Sequence, residues 1–154
     1  MQRRLFLTAS SVCLALPAFA HHGWSSFDEE RPIFLEGKVK SVKWQNPHAE
    51  IIVAAGAEAK LPSDLAKRMV PAQKAQVDTA KILAAAALPK RRGDWVLELS
   101  PMTRIDAWKV PEPKPGDVAA AVGYTFKDEK GPRLLRVEFL FLGSAAFGLR
   151  SMPA

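Results

Sequence analysis

The chain has one cysteine, one tyrosine and three histidines in 154 residues. Cys13 falls inside an N-terminal segment that reads as a cleavable export signal, so the processed protein would carry no thiol. That excludes disulfides, thiolate zinc sites, iron–sulfur clusters, cysteine nucleophiles and His/Cys blue-copper centres. Strong charge of one sign is missing too. The formal net charge is +6, and loss of Arg3 and Arg4 lowers it to +4, too weak a balance to name a partner. No apolar run reaches the ~20 residues that a membrane-spanning helix needs. What is present, 48% hydrophobic and 25% charged residues, suffices for one domain with a buried core.

Gln2-Arg3-Arg4 is a cationic start, followed by an apolar run from Leu5 to Leu16 and then Pro17-Ala18-Phe19-Ala20. The small residues Ala18 and Ala20 form a peptidase-type site, which predicts residues 1–20 as a signal peptide cut before His21. Val12 stands where a lipoprotein signal needs a small residue before its cysteine, so Cys13 is not read as a lipid anchor. Arg3-Arg4-Leu5-Phe6-Leu7 fits the twin-arginine pattern, which exports folded proteins; an ordinary Sec signal opening on two arginines fits as well. Either route predicts a periplasmic or secreted protein of residues 21–154 with no membrane span.

Residues 34–44 read as a strand in which Val39, Val42 and Trp44 alternate among lysines, with one break that predicts a bulge. Asn46-Pro47 signals a turn, and residues 48–54 give a second strand centred on Ile51, Ile52 and Val53. Residues 55–93 change character. Ser63-Asp64 reads as an N-cap for a helix over 65–70, Pro71 breaks it, and the alanine-rich stretch 72–88 places Val77, Ala80, Leu83, Ala84 and Ala87 near one face. Strand signals return over 94–100, 118–126 and 134–142, with a Pro-rich connection through Pro111, Pro113 and Pro115. The expected fold is mainly β: a small five-stranded OB-like barrel with an alanine-rich helical insertion, residues 55–93, between strands 2 and 3. The insertion either packs on the barrel or protrudes from it, and an open sandwich is the alternative architecture.

Cleavage before His21 would put two of the three histidines at a new amino terminus. A terminal histidine offers its α-amine and its imidazole to one metal, and an amine pKa of ~7.7–8.0 makes the proton cheap to displace near neutral pH. The imidazole of His48 would complete a three-nitrogen set suited to Cu(II), which nitrogen ligands favour over the other divalent ions. A second geometry uses the amine, the amide nitrogen and the imidazole of His22. The spacing does not choose between them. His21, His22 and His48 are therefore the expected metal ligands. Trp24 and Trp44 are candidates to wall the site, together with Asn46, and Met102 is a candidate to approach it. Asp28 either orients a ligand histidine or caps a turn.

At these residues the chain resembles a bacterial family known only as a domain of unknown function, made of short exported proteins whose mature chains begin near His-His. The resemblance runs through His21-His22-Gly23-Trp24-Ser25-Ser26-Phe27-Asp28, Leu35-Glu36-Gly37-Lys38-Val39 and Val42-Lys43-Trp44-Gln45-Asn46-Pro47-His48. Trp95-Val96-Leu97-Glu98 and Lys114-Pro115-Gly116-Asp117 extend it. It implies a five-stranded OB-like barrel and export, and the insertion at 55–93 departs from the family pattern. The expected function is an exported copper-binding protein for copper sequestration or delivery. Two alternatives stand beside it: a metal-free OB-like module for a periplasmic protein or saccharide partner, and a small copper oxidative enzyme. Lys38, Lys40, Lys43 and Trp44 form a basic-aromatic strip, but export makes nucleic acid a poor partner.

Overall fold

The computed structural model describes residues 24–56 and 59–154. The expected signal peptide, residues 1–20, and the expected ligands His21 and His22 lie outside the described residues. Among the described residues six strands form: β1 (Ile33–Lys43), β2 (Glu50–Ala55), β3 (Gly93–Glu98), β4 (Val118–Tyr124), β5 (Leu134–Leu142) and β6 (Ala145–Gly148). They pair in the order β3-β2-β1-β4-β5-β6, and a parallel pairing of β3 with β5 closes the first five into a barrel. The OB-like expectation is met, with β6 as an extra strand on the outer edge of β5.

Period-two alternation explains which side chains fill the barrel. Ile51 and Val53 on β2, Trp95 and Leu97 on β3, and Leu135 and Val137 on β5 are buried, joined by Ile33, Leu35 and Val39 from β1. The alternation break in β1 is a real register shift between Val39 and Ser41. A second shift lies at Val122/Gly123 in β4, where a methyl on Gly123 would collide with the backbone carbonyl of Arg136. Glycine is required there by close backbone approach.

The insertion differs from expectation. Its helix content is one short helix, α1 (Thr79–Ala85), capped by the Asp78 carboxylate accepting from the Lys81 N–H at 3.0 Å, plus a single 3₁₀ turn over Leu65–Lys67. Asp64 makes no capping bond. Tertiary hydrogen bonds displace the rest of the expected helix. The Ala87 N–H donates to the Pro32 carbonyl, and the Ala87 carbonyl accepts from Phe34. Near the other end, Lys74 donates to Met152 and Ala72 accepts from Ala154. Pairing with β1 and with the C-terminal segment satisfies these groups better than an alanine helix ended by Pro71 and Pro89. The insertion packs on the barrel: Leu65, Leu83 and Ala86 cover Phe34, Ala120, Val122, Phe139 and Phe141 on its outer face.

Between β3 and β4 lies a helix the sequence pattern did not announce, α2 (Met102–Ala107). Its Ile105 enters the barrel core, and after it the Trp108 ring does so while donating to the Ser151 carbonyl at 2.8 Å. No helix among the described residues is long and apolar enough to cross a membrane.

Candidate functional site

Outward-facing positions of β2, β3 and β5 lie side by side. Glu50 is in register with Glu98, and Glu98 with Arg136. Arg136 forms an ion pair with Glu98, and the same guanidinium nitrogen, Nη1, lies 3.5 Å from Nε2 of His48, just before β2. The Arg136 guanidinium also lies over the ring of Trp24, 5.3 Å from its centroid. One side chain thus touches the residue that opens the described leader and the histidine of the β1–β2 turn.

Trp24 is fixed from several directions. The Arg150 guanidinium lies 4.1 Å from its ring centroid, and Tyr124 meets it edge-on at 6.2 Å. Downstream, Phe27 is buried and stacks on Phe126 at 5.1 Å, and the Asp28 N–H donates to the Thr125 carbonyl at 2.9 Å. Arg150 is itself held by two carboxylates, Glu138 at 2.6 Å and Glu29 of the leader at 2.7 Å. Glu138 has no solvent exposure and also accepts from Gln73 at 3.3 Å. Burial raises the Glu138 carboxyl above its ordinary value despite the Arg150 guanidinium beside it. Burial, reinforced by the Glu138 charge, pushes the Tyr124 phenol up to about 12. For Arg150, burial opposes the charge, but the bonds to Glu29 and Glu138 win and raise its value. Burial, with Arg136 nearby, pulls the Arg104 guanidinium below its ordinary value.

Of the residues expected at the site, His48 and Trp24 are brought together through Arg136. Asp28 takes the turn role: its Oδ1 accepts from the Glu30 N–H at 3.3 Å. Trp44 packs against the barrel core, as does Met102, whose N–H donates to Oδ1 of Asn46 at 3.3 Å. Asn46 and Met102 therefore pair with each other at the start of α2. Among the described residues no group of three or more His, Cys, Asp or Glu could hold a metal ion. Sequence reasoning missed Arg136, Arg150, Glu138, Glu29 and Tyr124. The signal for two of them was Arg136 and Glu138, two residues apart in an otherwise apolar β5. A cavity of about 780 Å³ between the insertion and the barrel, lined by Asp64, Arg68 and Phe141, shares no residue with this cluster.

Fold and cluster together define an OB-like β-barrel protein with a leader docked by tryptophan, arginine and carboxylates beside a histidine. Residues 10–64 match the model of a family of unknown function (DUF6152), a span that holds the leader, β1, β2 and all three histidines. No curated protein and no solved structure matches the chain.

Proposed function

We propose that this is an exported copper-binding protein that holds Cu(II) through the amine and imidazole of His21, exposed by signal cleavage, and the imidazole of His48, for sequestration or delivery of copper. His22 is the local alternative ligand. One observation carries the reading: Trp24, three residues after His21, rests on the same guanidinium that touches His48. Three residues of chain reach about 10 Å at most, so the reading requires the terminal nitrogen to turn toward the His48 ring. The Arg136–His48 contact, at 3.5 Å, is at the outer limit of a hydrogen bond, whereas Arg136 keeps Glu98 as its firm partner. The neighbouring guanidiniums do not present a bare positive field, because Glu98 pairs with Arg136, and Glu29 and Glu138 pair with Arg150.

The test is Cu(II) uptake by the processed protein beginning at His21, measured by equilibrium dialysis. One equivalent should bind. Adding one glycine before His21, or replacing His48 by alanine, should each weaken binding by at least roughly tenfold. Equal affinity in all three forms would overturn the ligand set.

A metal-free binding module is the second reading, supported by a different observation. Ile52, Val96 and Leu134 are only half-buried and stand in register across β2, β3 and β5, the strand 2–3 face on which OB barrels take ligands. Partner binding untouched by His48→Ala would favour it.

A further inference from the structure

We infer that the cavity between the insertion and the barrel is a binding site for a small organic cation, an amine or guanidinium group carried on an apolar body. It shares no residue with the His48 cluster and stands independently of the copper reading. Its floor is one cross-strand row on the outer barrel face, Glu36–Ala120–Phe141–Ala146, in register across β1, β4, β5 and β6. The alanines on either side of Phe141 are too short to fill the space above the row. Leu65, Leu83 and Ala86 of the insertion cover the neighbouring row, Phe34–Val122–Phe139. Over the floor row the insertion leaves about 780 Å³ open, the size of a small-molecule site. Val118 and Met69, 54% and 88% exposed, also line this space, and they are two of the four large apolar side chains that the described residues expose. Apolar exposure gathered around one concavity marks a ligand site, whereas single scattered residues need no explanation.

Charge sets the sign of the ligand. Four carboxylates line the cavity, Glu36, Asp64, Glu112 and Asp117, against one cation, Arg68. Arg68 is bonded to Asp64 at 3.1 Å, and among the described residues Glu36, Glu112 and Asp117 form no ion pair. Three unbalanced negative charges thus share one concavity in a chain whose formal net charge is +6. Pro111 and Pro113 in the wall bring no backbone N–H, so at those positions it offers acceptors only. The floor already takes a cation of the chain's own: the Arg68 guanidinium lies over the Phe141 ring, 5.2 Å from its centroid. A ligand with its apolar body on the Ala120–Ala146 row and its cationic head toward Glu36 and Glu112 extends the chemistry that Arg68 uses there. An anion of the same shape would meet the carboxylates without a counter-charge, which is the basis of discrimination.

The experiment compares phenylbutylamine with phenylbutyrate, probes with one apolar body and opposite charge, in a titration followed by methyl NMR signals. The amine should shift the methyls of Met69, Val118, Ala120 and Ala146 saturably, and the anion should bind at least roughly tenfold more weakly. The double variant E36Q/E112Q, at two exposed positions, should weaken the amine by roughly tenfold and leave the urea midpoint where it was. Asp117 is spared in this variant because its Oδ2 accepts from the Lys114 N–H at 2.8 Å and so serves the fold as well. Equal affinity for the two probes, or an amine affinity that E36Q/E112Q leaves unchanged, would overturn the assignment of a cation. Saturable shifts confined to another face, or no saturable binding of the amine into the millimolar range, would overturn the site.

Discussion

Replacing Glu129 by glutamine tests whether one buried carboxylate ties the leader, the end of the insertion and the β4–β5 loop together. The side chain is 1% exposed, and both of its oxygens are fully used. Oε1 accepts from the Arg31 guanidinium at 2.7 Å and the Lys90 N–H at 2.8 Å; Oε2 accepts from the Lys90 and Arg91 N–H groups at 2.9 and 3.1 Å. A glutamine has one acceptor oxygen. Whichever way its amide turns, an NH₂ group faces a donor, so either Arg31 Nη1 or the Arg91 N–H loses its acceptor. An orphaned buried donor costs about 1–3 kcal/mol, and the surviving bonds lose about half of their charge-assisted strength, so the sum is about 2–4 kcal/mol. With a urea dependence of about 2 kcal/mol per molar, the midpoint should fall by roughly 1–2 M at unchanged slope. The pH dependence supplies a second check. Burial alone would raise the Glu129 carboxyl, but the Lys90 and Arg91 N–H groups and Arg31 hold it below its ordinary 4.5. A depressed folded value means that the stabilisation is complete above 4.5 and is lost as pH falls through the folded value. The gap between wild type and E129Q should therefore close in acid below about pH 4.5. An unchanged urea midpoint at pH 7, or a gap that persists into strong acid, would refute the role given to this carboxylate.

Gly123→Ala should cost about 2–3 kcal/mol, because the new methyl meets the Arg136 backbone carbonyl rather than a side chain that can yield. The same shift displaces the Arg136 strand segment, so copper affinity should fall alongside the urea midpoint. Leu83→Ala, at a side chain 2% exposed between α1 and the outer barrel face, should cost about 2–4 kcal/mol. Its signature is faster proteolysis within the insertion, and cleavage confined to the β1–β2 turn would contradict it.

The barrel was legible because its strands carry two-fold alternation. Trp95 and Leu97 point inward while Val96 and Glu98 point out, and even the bulge in β1 marks a place where the pattern skips. The elements that escaped are those whose existence depends on something already built. The four residues Ala145–Gly148 have little strand preference of their own and pair because β5 offers a free edge. In α2, Ile105 is apolar without a periodic companion stripe, and only the barrel end gives it a place to go. The alanine-rich segment shows the reverse error. Helical propensity there is real, but it is a small term per residue, and the backbone of Ala87 pairs with β1 instead.

His48 and Trp24 were named in the sequence but not the side chains that join them, since no spacing rule links Trp24 to residues 136 and 150. The joining cluster has an internal necessity that makes the leader part of the fold. A fully buried carboxylate such as Glu138 is costly unless it is paired, and its partner Arg150 is a long side chain that needs its own second anchor. That anchor is Glu29, which comes from the leader, and the flat face closing over the guanidinium is Trp24, also from the leader. Undocking the leader would remove a counter-charge and a cover from a buried ionic network in one step. The barrel therefore has its own electrostatic reason to hold residues 24–29 in one place, independent of any ligand.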